Sequence, residues 1–319
     1  MTAKQLLCIK QICKDVVLDE PMSKHTSFKI GGKADCFSSP SSAESAVALI
    51  RYCNENNIPY YVIGNGSNLL VSDKGLRGVV IHIGKNFSDA EMFDKNRNYG
   101  ADNMKIAELA GDRKVIACES GALLSYISAF ALKQGLTGFE FASGIPGTVG
   151  GAAVMNAGAY DGEMSQVLLG CVAYDIDGDK TVFVSGDEQQ LSYRNSIYQD
   201  NGYVVLRCFI ALEKGNSDDI RAKINDLSSR RKEKQPLEYP SAGSTFKRPV
   251  GGYAAALIDE CGLKGKRVGD ACVSEKHAGF VVNMGKASCE DVCILIKEIQ
   301  TTVKKEKGVE LKPEVKTIG

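Results

Sequence analysis

Residues 138–151 of the chain are GFEFASGIPGTVGG, and residues 60–71 are YYVIGNGSNLLV. The first stretch holds four glycines, two hydroxyl side chains and one proline in the nine residues from Ser143 to Gly151. The second places Gly64 and Gly66 directly after a β-branched and aromatic run that is typical of a strand. Since glycine has no Cβ, such loops bring backbone N–H groups close to a phosphate. Both stretches therefore predict phosphate-binding loops.

Neither loop matches the common nucleotide-binding motifs. The N-terminal glycine loop (Gly64 to Asn68) has Leu69 where the Rossmann fingerprint has its third glycine, and an extended apolar run follows. The central glycine loop (Ser143 to Gly151) lacks the Gly-Lys-Ser/Thr ending of a Walker A loop. The N-terminal loop is equally well explained as a tight turn that binds no ligand. If the central loop served packing alone, each of its glycines would need a separate structural reason to lack a side chain, whereas a diphosphate lying along the backbone explains them together. Two such loops without a large basic patch indicate one bulky dinucleotide ligand.

Length and charge narrow the class of protein. The 319 residues are enough for two or three domains, at roughly 100 to 200 residues each. The 39 Lys and Arg residues balance 39 Asp and Glu residues, so no global field favours nucleic acid or an anionic membrane. No apolar run approaches the ~18 residues of a membrane span, and Met1 to Lys14 do not resemble a signal peptide. We expect a cytoplasmic protein that binds neither nucleic acid nor membrane.

The cysteines and histidines argue against disulfides and metals. The eleven cysteines are odd in number and scattered from Cys8 to Cys293 without paired spacing, which favours reduced thiols. Only Cys289 and Cys293 stand at helical spacing, and there are just three histidines. We therefore predict no metal site.

Periodicity predicts an α+β fold. Helices are expected at 41–57, opened by a capping box from Ser41 to Glu44, and at 123–134, 217–234 and 288–306. Strands are expected at 60–63, 79–83, 115–117, 171–176, 181–184, 204–212 and 280–283. The polar residues 85–109 are interpreted as an exposed excursion. The order of elements does not alternate as in a doubly wound sheet.

Several further motifs resemble one family. They are HTSFKIGG at 25–32, GNGSNLLV at 64–71, the 138–151 stretch, NAGAY at 156–160, YRNS at 193–196, AGSTFK at 242–247 and PEV at 313–315. In this order, and over nearly the whole chain, they are similar to the UDP-N-acetylenolpyruvoylglucosamine reductase family. The resemblance implies NADPH-dependent, FAD-mediated reduction of UDP-N-acetylglucosamine enolpyruvate to UDP-N-acetylmuramate, a precursor of bacterial peptidoglycan.

The resemblance also implies the domain organisation. Residues 1–212 would form an FAD-binding domain of the vanillyl-alcohol-oxidase (PCMH) type, with lobes at about 1–84 and 85–212. Residues 213–319 would form an α+β substrate-binding domain whose C-terminal tail returns to the active site. Only about twenty residues separate Ser196 from Asn216, so the tyrosine-bearing loop of one branch is absent and the chain resembles the shorter, type II branch. No role is predicted for the charged insert at 87–104, and Arg248 replaces an Asn found in some members.

Three residues match the catalytic residues of the family. Arg194 would bind the substrate carboxylate, because a guanidinium is always charged and binds carboxylates through two N–H groups; an ordinary surface arginine is the alternative. Ser244 would donate the proton, with help from Lys234 or Lys247, and is otherwise a turn residue. Glu314 would pair with Arg194 or polarise the substrate, and is otherwise an exposed glutamate near the C-terminus.

The remaining predicted contacts are with ligands. The cofactor-binding residues are Gly64, Asn65, Gly66, Ser67, Asn68, Ser143, Gly144, Ile145, Gly147, Thr148, Gly150, Gly151 and Asn156. The substrate-binding residues are Tyr160, Tyr193, Lys234 and Lys247. We expect a monomer that uses FAD and NADPH. The alternatives are a protein of the same fold that only senses its ligand, and an oxidase with covalently attached flavin, although neither glycine loop contains His or Cys.

Overall fold

A computed structural model describes residues 1–199 and 202–319 and shows an α+β protein. The helices in this part of the chain are α1 (Ala3–Ile12), α2 (Ala43–Glu55), α3 (Asn103–Ala110), α4 (Leu124–Lys133), α5 (Val149–Met155), α6 (Ser217–Lys234), α7 (Ala254–Glu260) and α8 (Cys289–Lys307). The strands are β1 (Val16–Pro21), β2 (Lys33–Ser38), β3 (Tyr60–Ile63), β4 (Leu69–Val71), β5 (Leu76–His82), β6 (Ala90–Met92), β7 (Lys114–Glu119), β8 (Leu136–Thr137), β9 (Gly158–Ala159), β10 (Gly162–Glu163), β11 (Leu168–Asp175), β12 (Lys180–Ser185), β13 (Tyr203–Lys214), β14 (Arg267–Val268), β15 (Ala271–Val273), β16 (Val281–Asn283) and β17 (Lys316–Ile318).

The chain divides into two compact units, each built from three separate segments. Unit 1 comprises Met1–Val16, Ser38–Asn65 and Ile81–Arg230. Unit 2 comprises Val17–Phe37, Gly66–Val80 and Arg231–Gly319. The chain passes from unit 1 to unit 2 inside the N-terminal glycine loop, after Asn65. The domain limits that we predicted from the sequence remain predictions.

The largest element of unit 1 is a sheet in the order β12-β11-β13-β7-β6, in which every neighbouring pair is antiparallel. The central strand β13 pairs Cys208 with Cys171 of β11 and with Cys118 of β7. One face of this sheet packs against α4 and α5 through fully buried side chains such as Ile127 and Ala153. Because α5 directly continues the central glycine loop, this packing holds the loop on the sheet.

The opposite face of the same sheet is covered by the insert that we had interpreted as an exposed excursion. That interpretation is wrong for its apolar residues, since Tyr99 is 5% exposed and Ile106 is 0% exposed. Tyr99 makes an edge contact with Phe209 of β13, at 5.7 Å between ring centroids, and Phe93 a second at 6.1 Å. The apolar residues of this insert are few among polar ones, yet together they close a second core.

A four-stranded sheet has the order β1-β2-β5-β3, and the limits of the two units fall within β1, β2 and β5. Helix α2 precedes β3 in unit 1. Its capping box joins Ser42 and Ser45, and not Ser41 and Glu44 as predicted, since each hydroxyl accepts the other residue's amide at 3.2 Å. Ser41 and Ser42 are adjacent in the sequence, so motif matching alone placed the cap one residue early.

Unit 2 contains the three-stranded sheet β14-β15-β16 and a parallel pair formed by β17 and β4. Helix α8 packs its buried stripe, which includes Val292, Leu295 and Ile299, into a core shared with α7 and with Phe28 and Phe246. The β17–β4 pair brings the C-terminal tail beside the strand that follows the N-terminal glycine loop.

The helices with clear end signals are confirmed. Helices α4, α6 and α8 lie where they were predicted, and the Ser288 hydroxyl caps α8 by accepting the Asp291 amide at 3.0 Å. Helices α1, α3, α5 and α7 were not predicted. No helix in residues 1–199 and 202–319 is both long enough and apolar enough to cross a bilayer.

Candidate functional site

The central glycine loop ends earlier than the sequence indicated, because α5 begins at Val149. Thr148 caps this helix, and its hydroxyl accepts the Gly151 amide at 3.3 Å. The amides of Val149 and Gly150 donate to the carbonyls of Ala122 and Ser120 at 2.8 and 2.9 Å. Those amides are therefore already used within the protein.

Two amides of the same loop are available to a ligand. Among the described residues, the N–H groups of Gly144 and Gly147 have no carbonyl partner, and Gly144 is exposed. The amides of Ser143 and Ile145 donate to the carbonyls of Glu140 and Ala142, and these bonds fix the start of the loop. The part of the loop that fits a phosphate is thus its first half.

Gly150 has a packing role that is independent of any ligand. A Cβ on Gly150 would lie 1.7 Å from the Ser120 hydroxyl oxygen, whereas a Cβ on Gly151 would meet only the Thr148 hydroxyl at 3.3 Å. Gly151 is exposed and Gly150 is buried. Close packing therefore explains why Gly150 lacks a side chain, and a cofactor contact by Gly150 remains a prediction.

Replacing these two glycines separates packing from ligand binding. We expect Gly150→Ala to lower the free energy of unfolding of the apoprotein by about 1–3 kcal/mol, because the added methyl group overfills the site. Adding Ser120→Gly should restore most of that loss. Gly151→Ala should leave the stability of the apoprotein unchanged and weaken ligand binding at the loop. Urea denaturation of the four proteins measures this, and equal losses for Gly150→Ala and Gly151→Ala would contradict it.

The two glycine loops meet within unit 1. The Asn65 side-chain amide donates to the Pro146 carbonyl at 2.6 Å. Gly64 lies against Thr148, since a Cβ there would be 2.5 Å from the Thr148 hydroxyl. The start of the N-terminal loop and the central loop are therefore neighbours, as expected if one ligand touches both.

The rest of the N-terminal loop lies in unit 2, where it contacts the C-terminal tail. Strand β17 pairs with β4 in parallel, with Lys316 opposite Leu69. The Asn68 side-chain amide donates to the Glu314 carbonyl at 3.0 Å, and the Lys316 amide donates to the Asn68 carbonyl at 2.9 Å. Asn68 thus fixes the tail on the C-terminal side of Glu314, through the Glu314 carbonyl and the Lys316 amide.

Unit 2 also brings Glu314 to the segment that carries Ser244. The Glu314 amide donates to the Thr245 carbonyl at 2.8 Å, and Phe246 and Pro313 form a bridge beside them. Ser244 is exposed and Glu314 is half-buried. Two of the three predicted catalytic residues therefore lie on neighbouring backbone segments, although 70 residues separate them in sequence.

The third predicted catalytic residue, Arg194, lies in unit 1 at the tip of a tight turn. Ser192 and Asn195 exchange backbone hydrogen bonds across this turn, and Arg194 has a φ of +53°. Its guanidinium lies 5.0 Å from the Tyr193 ring and donates to the Gly158 carbonyl at 3.3 Å. A left-handed conformation is uncommon for arginine and costs about 1–3 kcal/mol, which is typical of residues held in place for function.

Asn156 supports this turn from the end of α5. Asn156 is fully buried, and its side chain donates to the Ser192 carbonyl at 3.0 Å and accepts the Ser165 amide at 2.9 Å. Its side chain therefore positions the turn of Arg194, and a flavin contact remains a prediction. Tyr160, at the tip between β9 and β10, has a φ of +52° and is 38% exposed.

Of the two predicted lysines, Lys247 lies beside the Glu314 segment, since its amide donates to the Lys312 carbonyl at 2.9 Å, and it is half-buried. Lys234 ends α6 and is exposed. All eleven cysteines are free thiols. In the two described stretches of the chain, no group of three or more His, Cys, Asp and Glu side chains could hold a metal ion.

Glu140 anchors the base of the central loop and was missed by the sequence analysis. It is only 2% exposed, and its carboxylate accepts the Thr137 hydroxyl at 2.6 Å and the Gly138 amide at 3.0 Å. Burial alone raises its pKa, but these hydrogen bonds and Lys223, at 3.5 Å, outweigh burial and leave the pKa of Glu140 below its ordinary value. The carboxylate therefore stabilises the folded state when ionised.

This anchor gives the stability of the protein a pH dependence. Since the folded pKa of Glu140 is lowered, its contribution is present above the unfolded pKa of about 4.3 and is lost as the pH falls through the folded pKa. We expect Glu140→Gln to lower the free energy of unfolding by about 2 kcal/mol at pH 7, with a smaller difference near pH 3.5. Urea denaturation at both pH values measures this, with the exposed Glu108→Gln as control. A difference that is equal at both pH values would contradict it.

Comparisons with known proteins first show the class of protein whose fold the chain shares. The family model of an FAD-binding domain matches residues 34–182. A crystal structure of a VAO-type flavoprotein from Myceliophthora thermophila C1 shares the fold, with a TM-score of 0.51 and 11% identity over 98% of this chain and 63% of that chain. The chain therefore has the fold of this flavoprotein class.

The family follows from closer relatives. The family model of the UDP-N-acetylenolpyruvoylglucosamine reductase C-terminal domain matches residues 235–318. A reductase of that name from Clostridium novyi (strain NT) is 53% identical over 93% of this chain and 90% of its own length. The crystal structure of the Thermus caldophilus reductase has a TM-score of 0.75 and 33% identity over 96% of this chain and 98% of that chain. The chain belongs to the UDP-N-acetylenolpyruvoylglucosamine reductase family, which confirms the family and the fold class predicted from the sequence.

The residues present fit FAD. In unit 1, the unpaired amides of Gly144 and Gly147 are suited to phosphate oxygens, and the Asn65 side chain braces the same loop. No charged side chain is needed for this, in line with the balanced charge of the chain.

Proposed function

We propose that the protein reduces UDP-N-acetylglucosamine enolpyruvate to UDP-N-acetylmuramate, with NADPH as the electron donor and FAD as the cofactor. It is an FAD-dependent oxidoreductase of peptidoglycan precursor synthesis. The observation that carries the proposal is the placement of Glu314 beside the Ser244 segment and Asn68. The C-terminal tail thereby joins two predicted catalytic residues to a cofactor loop.

The glycine loops hold the cofactor. Gly144 and Gly147 donate their amides to phosphate oxygens, and Asn65 keeps the N-terminal loop against Pro146. When bound, FAD would supply the redox chemistry that links NADPH to the methylene carbon of the substrate. The protein itself has to orient the substrate, stabilise negative charge and supply one proton.

Arg194 binds the substrate carboxylate. The N–H groups of a guanidinium match the two oxygens of a carboxylate in geometry and in charge. Hydride addition at the methylene carbon spreads negative charge onto this carboxylate, so the interaction strengthens as the reaction proceeds. The left-handed turn and the buried Asn156 support keep the guanidinium from relaxing away.

Ser244 donates the proton from its hydroxyl to the carbon that bears the carboxylate. A hydroxyl is a weak acid, so it protonates only a strongly basic carbon held next to it, and Lys234 or Lys247 assists as a relay. Glu314 polarises the substrate from the neighbouring segment. Tyr160 and Tyr193 contact the UDP-sugar.

The domain organisation and the cellular location of the protein are part of the same proposal. Residues 1–212, in lobes at about 1–84 and 85–212, bind FAD, and residues 213–319 bind the substrate. The protein is a cytoplasmic monomer of the shorter, type II branch, and it binds neither nucleic acid nor membrane.

Product analysis tests this function. Protein loaded with FAD should consume one NADPH for each UDP-N-acetylmuramate formed, and the mass of the product should exceed that of the substrate by two hydrogen atoms. In D2O, the carbon next to the carboxylate should carry deuterium. UDP-N-acetylglucosamine, which lacks the enolpyruvyl group, serves as the control. NADPH oxidation that needs oxygen and leaves the substrate unchanged would instead show an oxidase.

A further inference from the structure

Ser27 links the N-terminal glycine loop to the segment that carries Ser244, and all the atoms involved lie in unit 2. The Ser27 hydroxyl is 2.7 Å from the Ser241 carbonyl oxygen and 3.3 Å from the Ser67 carbonyl oxygen. The Ser27 amide donates to the Gly66 carbonyl at 3.3 Å. One residue therefore bonds to two segments that are far apart in sequence.

The hydroxyl and the backbone amide of Ser27 have different hydrogen-bond partners. A hydroxyl has one hydrogen, so it cannot bond fully to both carbonyls, and the shorter distance indicates that it donates mainly to Ser241. The backbone amide meanwhile remains on the glycine loop. Removing only the hydroxyl should release the Ser241 segment and leave the backbone contact with the loop intact.

The Ser241–Ser244 turn is held in place by hydrogen bonds to other segments. Gly243 has a φ of +76°, and no atom lies within 4 Å of where its Cβ would be, so nothing packs against the turn there. The turn is fixed at its far end, where the Thr245 amide donates to Gly279, and at its near end by a bridge between Ser241 and Val282. Ser27 contributes a direct bond to the start of this turn, in addition to the link that runs from Asn68 through Glu314 to Thr245.

We propose that Ser27 is a positioning residue, whose hydroxyl ties the N-terminal glycine loop to the turn bearing Ser244, so that a ligand ordering the loop also orders the proton donor. The placement of Ser244 then depends on an occupied cofactor loop. The catalytic part of this inference rests on the proposed function.

Hydrogen exchange measures the tie without any catalysis. FAD added to the apoprotein should slow amide exchange in residues 241–246 by about tenfold, as well as exchange in the central loop. Ser27→Ala should remove most of the slowing at 241–246, because the remaining link through Glu314 reaches only Thr245, and should leave the slowing at the central loop. Ser27→Cys keeps the shape of the side chain but replaces the hydroxyl by a weak donor. It should behave like Ser27→Ala, and it keeps the test valid if the smaller alanine side chain affects folding. Ser288→Ala, which removes the cap of α8 in the same unit, is the matched control.

Half-reactions then test the consequence for catalysis. Flavin reduction by NADPH should change by less than about threefold in Ser27→Ala, while reduction of the enolpyruvyl substrate slows by about three- to tenfold, the effect of one hydrogen bond. Ser27→Thr, which keeps the hydroxyl, should recover the second rate.

Two results would overturn the inference: FAD-induced slowing at 241–246 that is equal in wild type and Ser27→Ala, or loss of that slowing in Ser288→Ala as well. A wild-type protein that does not reduce the substrate would count against the proposed function alone, because the exchange measurement needs only FAD.

Discussion

Replacement of Ser244 by Ala is expected to stop product formation while leaving flavin reduction by NADPH intact. Removing a positioned proton donor costs about 10²- to 10⁴-fold, and only the second half-reaction needs the proton. Ser244 is exposed on a turn with open space around Gly243, so the missing hydroxyl should leave the fold unchanged. Stopped-flow absorbance of the flavin measures each half-reaction separately.

The control for Ser244 is another exposed serine. Ser229 lies on α6, and Ser229→Ala should leave both half-reactions at wild-type rates. If Ser244→Ala slows both half-reactions to the same extent, Ser244 does not donate the proton and acts only through the local structure.

Arg194→Lys should slow reduction of the substrate by about 10²- to 10³-fold and flavin reduction by less than about threefold. Lysine keeps the positive charge but loses the paired N–H groups that match a carboxylate, so stabilisation is lost mainly where charge develops. The contact with Gly158 and the stacking on Tyr193 that aim the guanidinium would be lost as well.

Arg97 offers a matched control within unit 1. It too lies over a tyrosine ring, with its guanidinium 5.8 Å from the centre of Tyr99, and it forms an ion pair with Glu91. Arg97→Lys should leave both rates unchanged. Equal losses in the two half-reactions of Arg194→Lys would show that Arg194 supports the structure and does not bind the substrate carboxylate.

Local signals predicted some of the fold well. Helix α8 has a Ser-x-x-Asp start and a clear apolar stripe, and it forms where expected. The Asp177-Gly178 turn joins β11 and β12 as an antiparallel hairpin, with Asp175 opposite Lys180. Such features depend on neighbouring residues only, and the sequence displays them directly.

Features that depend on distant partners could not be predicted in this way. Tyr99 and Ile106 are apolar residues in a polar stretch, and only the sheet face around Phe209 makes them core residues. The pairing of β17 with β4 joins segments about 250 residues apart, and no local pattern specifies it.

In the candidate site, too, local motifs could be predicted from the sequence and contacts with distant segments could not. Motifs identified Ser244 and Glu314, and the bond between Glu314 and Thr245 places them on neighbouring backbone segments. Ser27 and Glu140 were missed, because Ser27 bonds to backbone carbonyls of other segments and a buried carboxylate cannot be told from an exposed one by sequence. Gly150 and Asn156 have structural roles that the sequence did not show, through packing against Ser120 and a bond to Ser192.

The central claim is that electrons pass from NADPH through bound FAD to the enolpyruvyl group. The most direct test is the visible spectrum of the purified protein under anaerobic conditions, before and after NADPH and then after UDP-N-acetylglucosamine enolpyruvate. We expect flavin absorbance that bleaches with NADPH and returns only with that substrate. A protein that stays colourless after incubation with FAD, or reduced flavin that reacts only with oxygen, would contradict the account.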